Sequence, residues 1–136
     1  MVEITMKYEG DLRIRAVHGP SGETLATDAP VDNEGRGESF SPTDLVATAL
    51  GSCMVTIMGI VARRHGLAIE GTTVRVGKEM STETPRRIAR LETEIRVPLP
   101  GEGEHVALLE RAALTCPVHH SLHPEIDKPL RFVWEG

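Results

Sequence analysis

An uncharged, mostly apolar run from Leu45 to Ala62 constrains the fold of this chain more than any other feature. Just before it, Ser41, Pro42 and Asp44 are typical of a helix N-cap, a first helical position and an acidic first turn. Gly66 suits the residue just past a helix C-terminus, so the sequence predicts a helix that begins at Pro42 and ends just before Gly66. Because such a helix is apolar on every side, it must be buried in protein or in lipid.

The length of the run meets the lower limit for a membrane span, so both environments have to be weighed. Polar side chains in the middle of the run argue against lipid. So do the strands predicted elsewhere, which need an apolar partner to cover them. The polar residues in question are Thr48, Ser52, Cys53 and Thr56. We therefore expect the helix to lie at the centre of a protein domain, with no membrane partner.

Small residues recur every four positions along the same helix, at Ala47, Gly51, Val55 and Gly59. Such a stripe lets a second backbone approach closely. In a chain this short, both sides of the helix are buried more easily if a second copy contributes surface. We therefore expect a homodimer.

The remaining segments predict one domain over residues 1–136. Three short alternating segments in residues 1–30, separated by turn residues, are typical of an antiparallel β-meander, and the Gly-rich residues 31–40 predict a loop. TTVRVGKEMS and RIARLETEIRVPL predict a β-hairpin, although LETEI also fits a helix. GEHVALLERAALTC then predicts an amphipathic helix. A short helix follows, which Pro117 opens and Pro124 closes, and KPLRFVWEG predicts a last strand.

Composition argues against several function classes. The net charge is -5 with mixed signs, and one Trp, one Tyr and two Phe leave little to stack on bases, so no nucleic-acid partner is expected. The N-terminal MVEITMKYEGD lacks the basic and apolar regions of a secretory signal, so we expect a cytoplasmic location. There a pair of cysteines is more often catalytic or redox-active than a structural disulfide.

Cys53, at the centre of the apolar helix, has two interpretations. It is either a small buried hydrophobe or a reactive thiol, and a buried thiol without a nearby cation is inert. A reactive Cys53 therefore requires a guanidinium beside it and a carboxylate to orient that guanidinium. The candidate cations are Arg13, Arg15 and Arg36, and the candidate carboxylates are Asp44 and Glu38.

Cys116 precedes Pro117 and is the predicted N-cap of the short helix. Backbone amides and the helix dipole favour a thiolate there, so a lowered pKa of Cys116 is expected. Alternatively, Cys116, His119 and His123 share one helical face and form a candidate zinc site. Pro124 argues against this second interpretation, because it disfavours helical backbone at His123.

Two motifs, FSPTDLVATALGSC and, about sixty residues later, TCPVHHSL, resemble the osmotically inducible protein C and organic hydroperoxide resistance (OsmC/Ohr) family. The resemblance covers nearly the whole chain, including the YEGD turn and the closing strand. It implies an α+β fold: an N-terminal meander, a long central buried helix, a β-hairpin, a second helix pair and a C-terminal strand. It further implies an intertwined homodimer with the cysteine helices at its middle.

The same resemblance implies a thiol-dependent peroxidase that reduces organic hydroperoxides to alcohols in oxidative and osmotic stress defence. Cys53 would attack the peroxide and become a sulfenic acid, and Cys116 would resolve it as a disulfide. An external dithiol of the dihydrolipoamide type would restore both thiols, and no metal or organic cofactor is required. A non-catalytic module of the same fold, binding a small hydrophobic or thiol ligand, is the alternative.

One position departs from the family's pattern. Many relatives place a Glu directly after the Pro that opens the helix, where it holds an active-site Arg. This chain has Thr43 there, followed by Asp44. By resemblance the activating Arg is Arg13 or Arg36. Asp44 is the candidate for the role of the family's Glu, but it stands one residue later, which turns it by about 100° around the helix, so whether it faces the same groups is left open.

Overall fold

Six β-strands and three α-helices form the chain in the computed structural model, which describes all 136 residues. In chain order they are β1 (Ile4–Gly10), β2 (Arg13–His18), β3 (Thr24–Asp28), α1 (Pro42–Arg64), β4 (Thr73–Met80), β5 (Ile88–Val97), α2 (Glu104–Leu114), α3 (Pro117–Ser121) and β6 (Leu130–Trp134). The predicted α+β class is confirmed. Residues 1–46 and residues 47–136 form two compact units, and α1 begins in the first and continues into the second.

Strands β1, β2 and β3 of the first unit pair in that order as the predicted antiparallel meander. The turn between β1 and β2 passes through Asp11 and Leu12, whose φ values of 52° and 62° are left-handed. The segment after β3, predicted to be a loop throughout, contains one 3-10 turn at Val31–Asn33. Pro30 explains this turn, because its carbonyl accepts a hydrogen bond from the Asn33 amide at 2.9 Å.

One face of this sheet carries exposed apolar side chains. Alternate residues of a strand share a face, and on β1 these are Ile4, Met6 and Tyr8, which are 56%, 68% and 61% exposed. Met6 lies opposite Ala16 on β2, and Ala16 lies opposite Leu25 on β3. Contiguous exposed apolar side chains of this kind are typical of interaction surfaces.

Helix α1 begins and ends where the sequence predicts. The Asp44 amide donates to Ser41 Oγ at 3.1 Å, and the Ser41 amide donates to Asp44 Oδ2 at 2.9 Å, which is a reciprocal N-terminal cap. After the last turn Gly66 adopts a left-handed φ of 66°. The helix is long and apolar enough to cross a membrane, a property that buried core helices share. Six of its residues are buried in the chain.

The sheet of the second unit has the order β4-β5-β6, with β4 antiparallel and β6 parallel to the central strand β5. The predicted hairpin and last strand are therefore confirmed, and the helical alternative for LETEI is wrong. On β5 the buried residues recur with a period of two, as a strand with one covered face requires. They are Leu91, Thr93, Ile95 and Val97.

Within the second unit, the buried face of α1 shares one core with β5 and α2. The largest side chains of this core include Leu50, Met54, Met58, Leu91, Ile95 and Leu109. At Gly51 an added Cβ would lie 2.9 Å from Val76 Cγ2 of β4, so α1 approaches the sheet closely because this residue has no side chain. No atom lies within 4 Å of such a Cβ at Gly59. Of the two glycines in the small-residue stripe, Gly51 therefore allows close packing within the chain, whereas Gly59 does not contribute to it.

Helices α2 and α3 are joined at Cys116, which is the N-cap of α3 as predicted. α2 is amphipathic, also as predicted, and buries Leu109, Ala112 and Ala113. α3 begins at Pro117 and ends at Ser121, three residues before Pro124. This short helix holds Cys116 in a fixed place against the core of the second unit.

Candidate functional site

The two thiols of the chain meet inside the second unit. Cys53 lies at the middle of α1 and is half-buried, whereas Cys116 is fully buried at 0% exposure. Burial raises the pKa of the Cys116 thiol, and its hydrogen bond with the Cys53 thiol raises that pKa further. The fold therefore brings into direct contact two cysteines that are far apart in the sequence, and both are free thiols.

The expected lowering of the Cys116 pKa is wrong, although the predicted cap geometry is present. Cys116 Sγ accepts a hydrogen bond from the His119 amide at 3.2 Å, and this bond does lower the pKa of Cys116. Burial has the larger effect on the pKa. Removing the thiolate from water costs more free energy than the hydrogen bond from the His119 amide provides. Cys116 is therefore a protonated thiol at neutral pH.

The alternative of a zinc site at Cys116, His119 and His123 has no support in the fold. α3 ends at Ser121, so His123 lies outside the helix and does not share its face. The His123 side chain is exposed, and its Nδ1 accepts a hydrogen bond from the Glu125 amide at 3.1 Å. The structure contains no group of three or more His, Cys, Asp or Glu side chains that could hold a metal ion.

His119 has a feature that the sequence did not reveal. Its Nδ1 is buried without a hydrogen-bond partner, although the residue as a whole is only half-buried. Burial lowers the pKa of His119, and the positive charge of Lys128 and the neighbouring His120 lower it further. The imidazole is therefore neutral at neutral pH, directly beside the residue that caps α3. Sequence reasoning considered His119 only as a metal ligand.

Arg13, in the first unit, is held by two carboxylates. It lies opposite Asp28 in the β2–β3 register, its Nη2 donates to Glu38, and the same Nη2 lies 3.7 Å from Asp28 Oδ2. The hydrogen bond with Glu38 and the charges of Glu38 and Asp28 hold the pKa of Arg13 above its usual range. Of the two predicted orienting carboxylates, Glu38 is the one hydrogen-bonded to Arg13.

Asp28 was missed by the sequence reasoning. It is 1% exposed, and its Oδ2 accepts a hydrogen bond from the Glu38 amide at 3.0 Å, which fixes the segment that carries Glu38. The only available signal was its position opposite Arg13 in the predicted meander, and this requires the strand register to be known.

The other predicted site residues also lie in residues 1–46. Arg36 is exposed in the segment between β3 and α1. Asp44 takes part in the N-terminal cap of α1 described above. Arg15 faces Glu9, with 3.3 Å between Nε and Oε2. Since both thiols belong to the other unit, the catalytic roles of Arg13, Arg36 and Asp44 stay predictions.

Comparison with known proteins gives a consistent result. A model of the OsmC-like protein family matches residues 35–128. No curated protein matched the chain. A structure from Psychrobacter arcticus 273-4, provisionally described as an osmotic stress induced and detoxification response protein, has a TM-score of 0.91 and 44% identity, covering 97% of this chain and 96% of that one.

More distant structures share the fold. An organic hydroperoxide resistance protein OsmC from Legionella pneumophila has a TM-score of 0.78 at 14% identity, covering 98% of this chain and 96% of that one. An OsmC-like protein from Mycoplasma pneumoniae has a TM-score of 0.83, also at 14% identity, covering 100% of this chain and 98% of that one. At such identities the likeness is one of fold.

Proposed function

Because the chain belongs to the OsmC-like family, we propose that it is a thiol-dependent peroxidase that reduces organic hydroperoxides to the corresponding alcohols. The observation that carries this proposal is the direct contact between the thiols of Cys53 and Cys116. Two thiols in contact can form a disulfide without a large movement of either helix, as the second half of a two-cysteine peroxidase cycle requires.

The difference in burial between the two cysteines supports one assignment of their roles. Cys53 is half-buried and therefore reachable by a small substrate, whereas Cys116 is fully buried and keeps its proton. Cys53 therefore reacts first: its thiolate attacks the distal oxygen of the hydroperoxide, the alcohol leaves, and a sulfenic acid remains. Cys116 then condenses with the sulfenic acid to a disulfide, and an external dithiol of the dihydrolipoamide type restores both thiols.

Arg13 is the favoured activating residue. It is oriented by Glu38 and backed by the buried Asp28, which is the arrangement that presents a guanidinium in a fixed position. Arg36 carries no such supports among the described hydrogen bonds and ion pairs, and it remains the alternative. The chemistry requires no metal or organic cofactor. We place the enzyme in the cytoplasm, in defence against oxidative and osmotic stress.

A homodimer is part of the proposal. Two apolar surfaces support it: the exposed face of the first sheet, with Ile4, Met6 and Tyr8, and the side of α1 that carries Ile60, which is 41% exposed. A second copy would cover both surfaces, and burial of apolar area is the main source of free energy for such an association.

The proposal is tested by adding one equivalent of cumene hydroperoxide to the reduced protein and then titrating free thiols. We expect both thiols to be consumed, with no oxygen added to the protein mass. Cys53→Ser should abolish the reaction, and Cys116→Ser should stop it at a sulfenic acid that dimedone traps. The matched substrate control is hydrogen peroxide, which should react more slowly because it gains nothing from apolar surroundings. An unchanged thiol titre after exposure to both peroxides would refute the proposal.

A further inference from the structure

The outer face of the second sheet carries arginines gathered around one carboxylate. On β5 the buried residues alternate with residues that point away from the core, and Glu94 and Arg96 are two of these. Arg96 Nε donates to Glu94 Oε1 at 2.9 Å, and Arg131 Nη2 of β6 donates to Glu94 Oε2 at 2.6 Å. Each oxygen of Glu94 therefore already accepts a hydrogen bond from a guanidinium.

Arg75 of β4 is a third arginine on this face, and it has no acid partner. It lies directly opposite Glu94 in the antiparallel β4–β5 register, and Thr73, two positions earlier, lies opposite Arg96. Directly opposite residues have Cβ atoms about 4.5–5.5 Å apart, so the four side chains adjoin one another. Arg75 is exposed and forms no hydrogen bond or ion pair. Its guanidinium donors are therefore available to another molecule.

A surface cavity lies between these side chains. Its volume is ≈ 190 Å³, and its lining comprises Thr73, Val74, Arg75, Glu94 and Arg96. One water molecule takes up about 30 Å³ of liquid, so the cavity has room for a small organic molecule. Two of the lining groups, the Arg75 guanidinium and the Thr73 hydroxyl, are hydrogen-bond donors on the same strand and the same face. The cavity therefore presents donors to a ligand that accepts hydrogen bonds.

The charges around the cavity favour a singly charged anion. Burial alone would raise the pKa of Glu94, but the charges and hydrogen bonds of Arg96 and Arg131 lower it overall, so a negative charge is stabilised on this face. Because Glu94 is compensated in this way, the positive charge of Arg75 is in excess. Glu92 and Arg75 line a smaller neighbouring cavity, and the Glu92 carboxylate disfavours a second negative charge on the ligand.

We propose that this cavity binds the carboxylate group of a small organic acid, with the Arg75 guanidinium donating to both carboxylate oxygens and the Thr73 hydroxyl donating to one of them. The planar fork of an arginine matches the two oxygens of a carboxylate. One excess positive charge suits a carboxylate better than a phosphate group, which carries more negative charge near neutral pH. The site shares no residue with the proposed peroxidase, so it goes beyond that function, and either proposal can fail without the other.

The test is a titration of the full, ¹⁵N-labelled chain with sodium acetate, followed by NMR at an ionic strength that sodium chloride keeps constant. We expect saturable shifts of the amide signals of residues 73–77 and of the Arg75 side chain. Arg75→Gln should weaken binding about tenfold or more, because it removes the charge and the fork together. Arg75→Lys should weaken binding less, since lysine keeps the charge. Arg75 has no partner within the fold, so neither substitution should change the melting temperature.

Arg111→Gln is the matched control, because Arg111 is an exposed arginine of α2 without an ion pair and its removal changes the net charge equally. This variant should bind acetate like the wild type. Sodium phosphate is the second probe and should bind more weakly than acetate. Shifts that do not saturate, an Arg75→Gln variant that binds acetate like the wild type, or equal weakening in Arg111→Gln would overturn the inference. Tighter binding of phosphate than of acetate would overturn the choice of a carboxylate.

Discussion

Helix α1 passes close to β4 at Gly51, and the Gly51→Ala substitution measures how tightly the cysteine helix is held. The new Cβ would lie 2.9 Å from Val76 Cγ2 and 3.2 Å from Val74 Cγ2. Two effects oppose each other. Replacing Gly by Ala inside a helix stabilises by up to about 1 kcal/mol, whereas overpacking of a well-packed core costs about 1–3 kcal/mol. We therefore expect a net loss of about 1 kcal/mol in the free energy of unfolding.

The sign of this effect should reverse when the nearest obstacle is removed. In a Val76→Ala background the 2.9 Å contact no longer exists, so the helix preference of Ala should dominate and Gly51→Ala should be neutral or stabilising. The two substitutions should thus couple by about 1–2 kcal/mol in a double-mutant cycle, well above the deviation of about 0.3–0.5 kcal/mol seen between independent sites.

Urea unfolding of the four proteins at one fixed protomer concentration provides the four free energies. A Gly51→Ala variant that is more stable than the wild type, together with a coupling free energy near zero, would show that the helix does not rest against β4 at this point. The packing that positions Cys53 over the second sheet would then have to be reconsidered.

Three further predictions concern the thiols, the activating arginine and the dimer. Because burial raises the pKa of Cys116, the native protein keeps a proton that the unfolded chain releases above the ordinary thiol pKa, so the free energy of unfolding should fall as the pH rises through that range. Urea unfolding between about pH 7 and 10 should show a smaller fall in Cys116→Ala. Arg13→Gln should slow the oxidation of Cys53 by hydroperoxide far more than Arg36→Gln does, and equal rates would remove Arg13 from the mechanism. Met6→Glu should shift sedimentation from dimer to monomer while Lys7→Glu, on the opposite face of β1, should not; a monomeric wild type would contradict the dimer.

Local signals explain why the ends of α1 could be predicted from the sequence. The cap that Ser41 and Asp44 form, and the left-handed Gly66, depend on residues within a few positions of each end. The same holds for the start of α3 at Pro117. In these places the physical cause of the structure is contained in a short stretch of chain, and the stretch is sufficient to predict it.

Strand β5 shows where local signals are insufficient. LETEI fits both a helical and a strand period, and its strand state is decided by pairing with β4 on one side and β6 on the other. The parallel β5–β6 pairing joins residues such as Ile95 and Phe132, and no nearby motif specifies it. The interaction of Arg13 with Asp28 has the same origin, since only the β2–β3 register places them opposite each other.

Cys116 shows how a correct local prediction can lead to a wrong chemical one. Its N-cap position is encoded by Pro117, and the cap does favour the thiolate. The burial that outweighs the cap comes from the core cluster in which Cys116 lies, whose members belong to distant elements of the chain. The residues next to Cys116 in the sequence therefore do not predict this burial. A prediction based on the cap alone would make Cys116 the more reactive thiol and reverse the order of the two steps. With burial included, the partly accessible Cys53 is the proposed peroxidatic thiol and the buried Cys116 the proposed resolving one. The assignment of roles within the pair thus depends on the free energy of desolvating one sulfur.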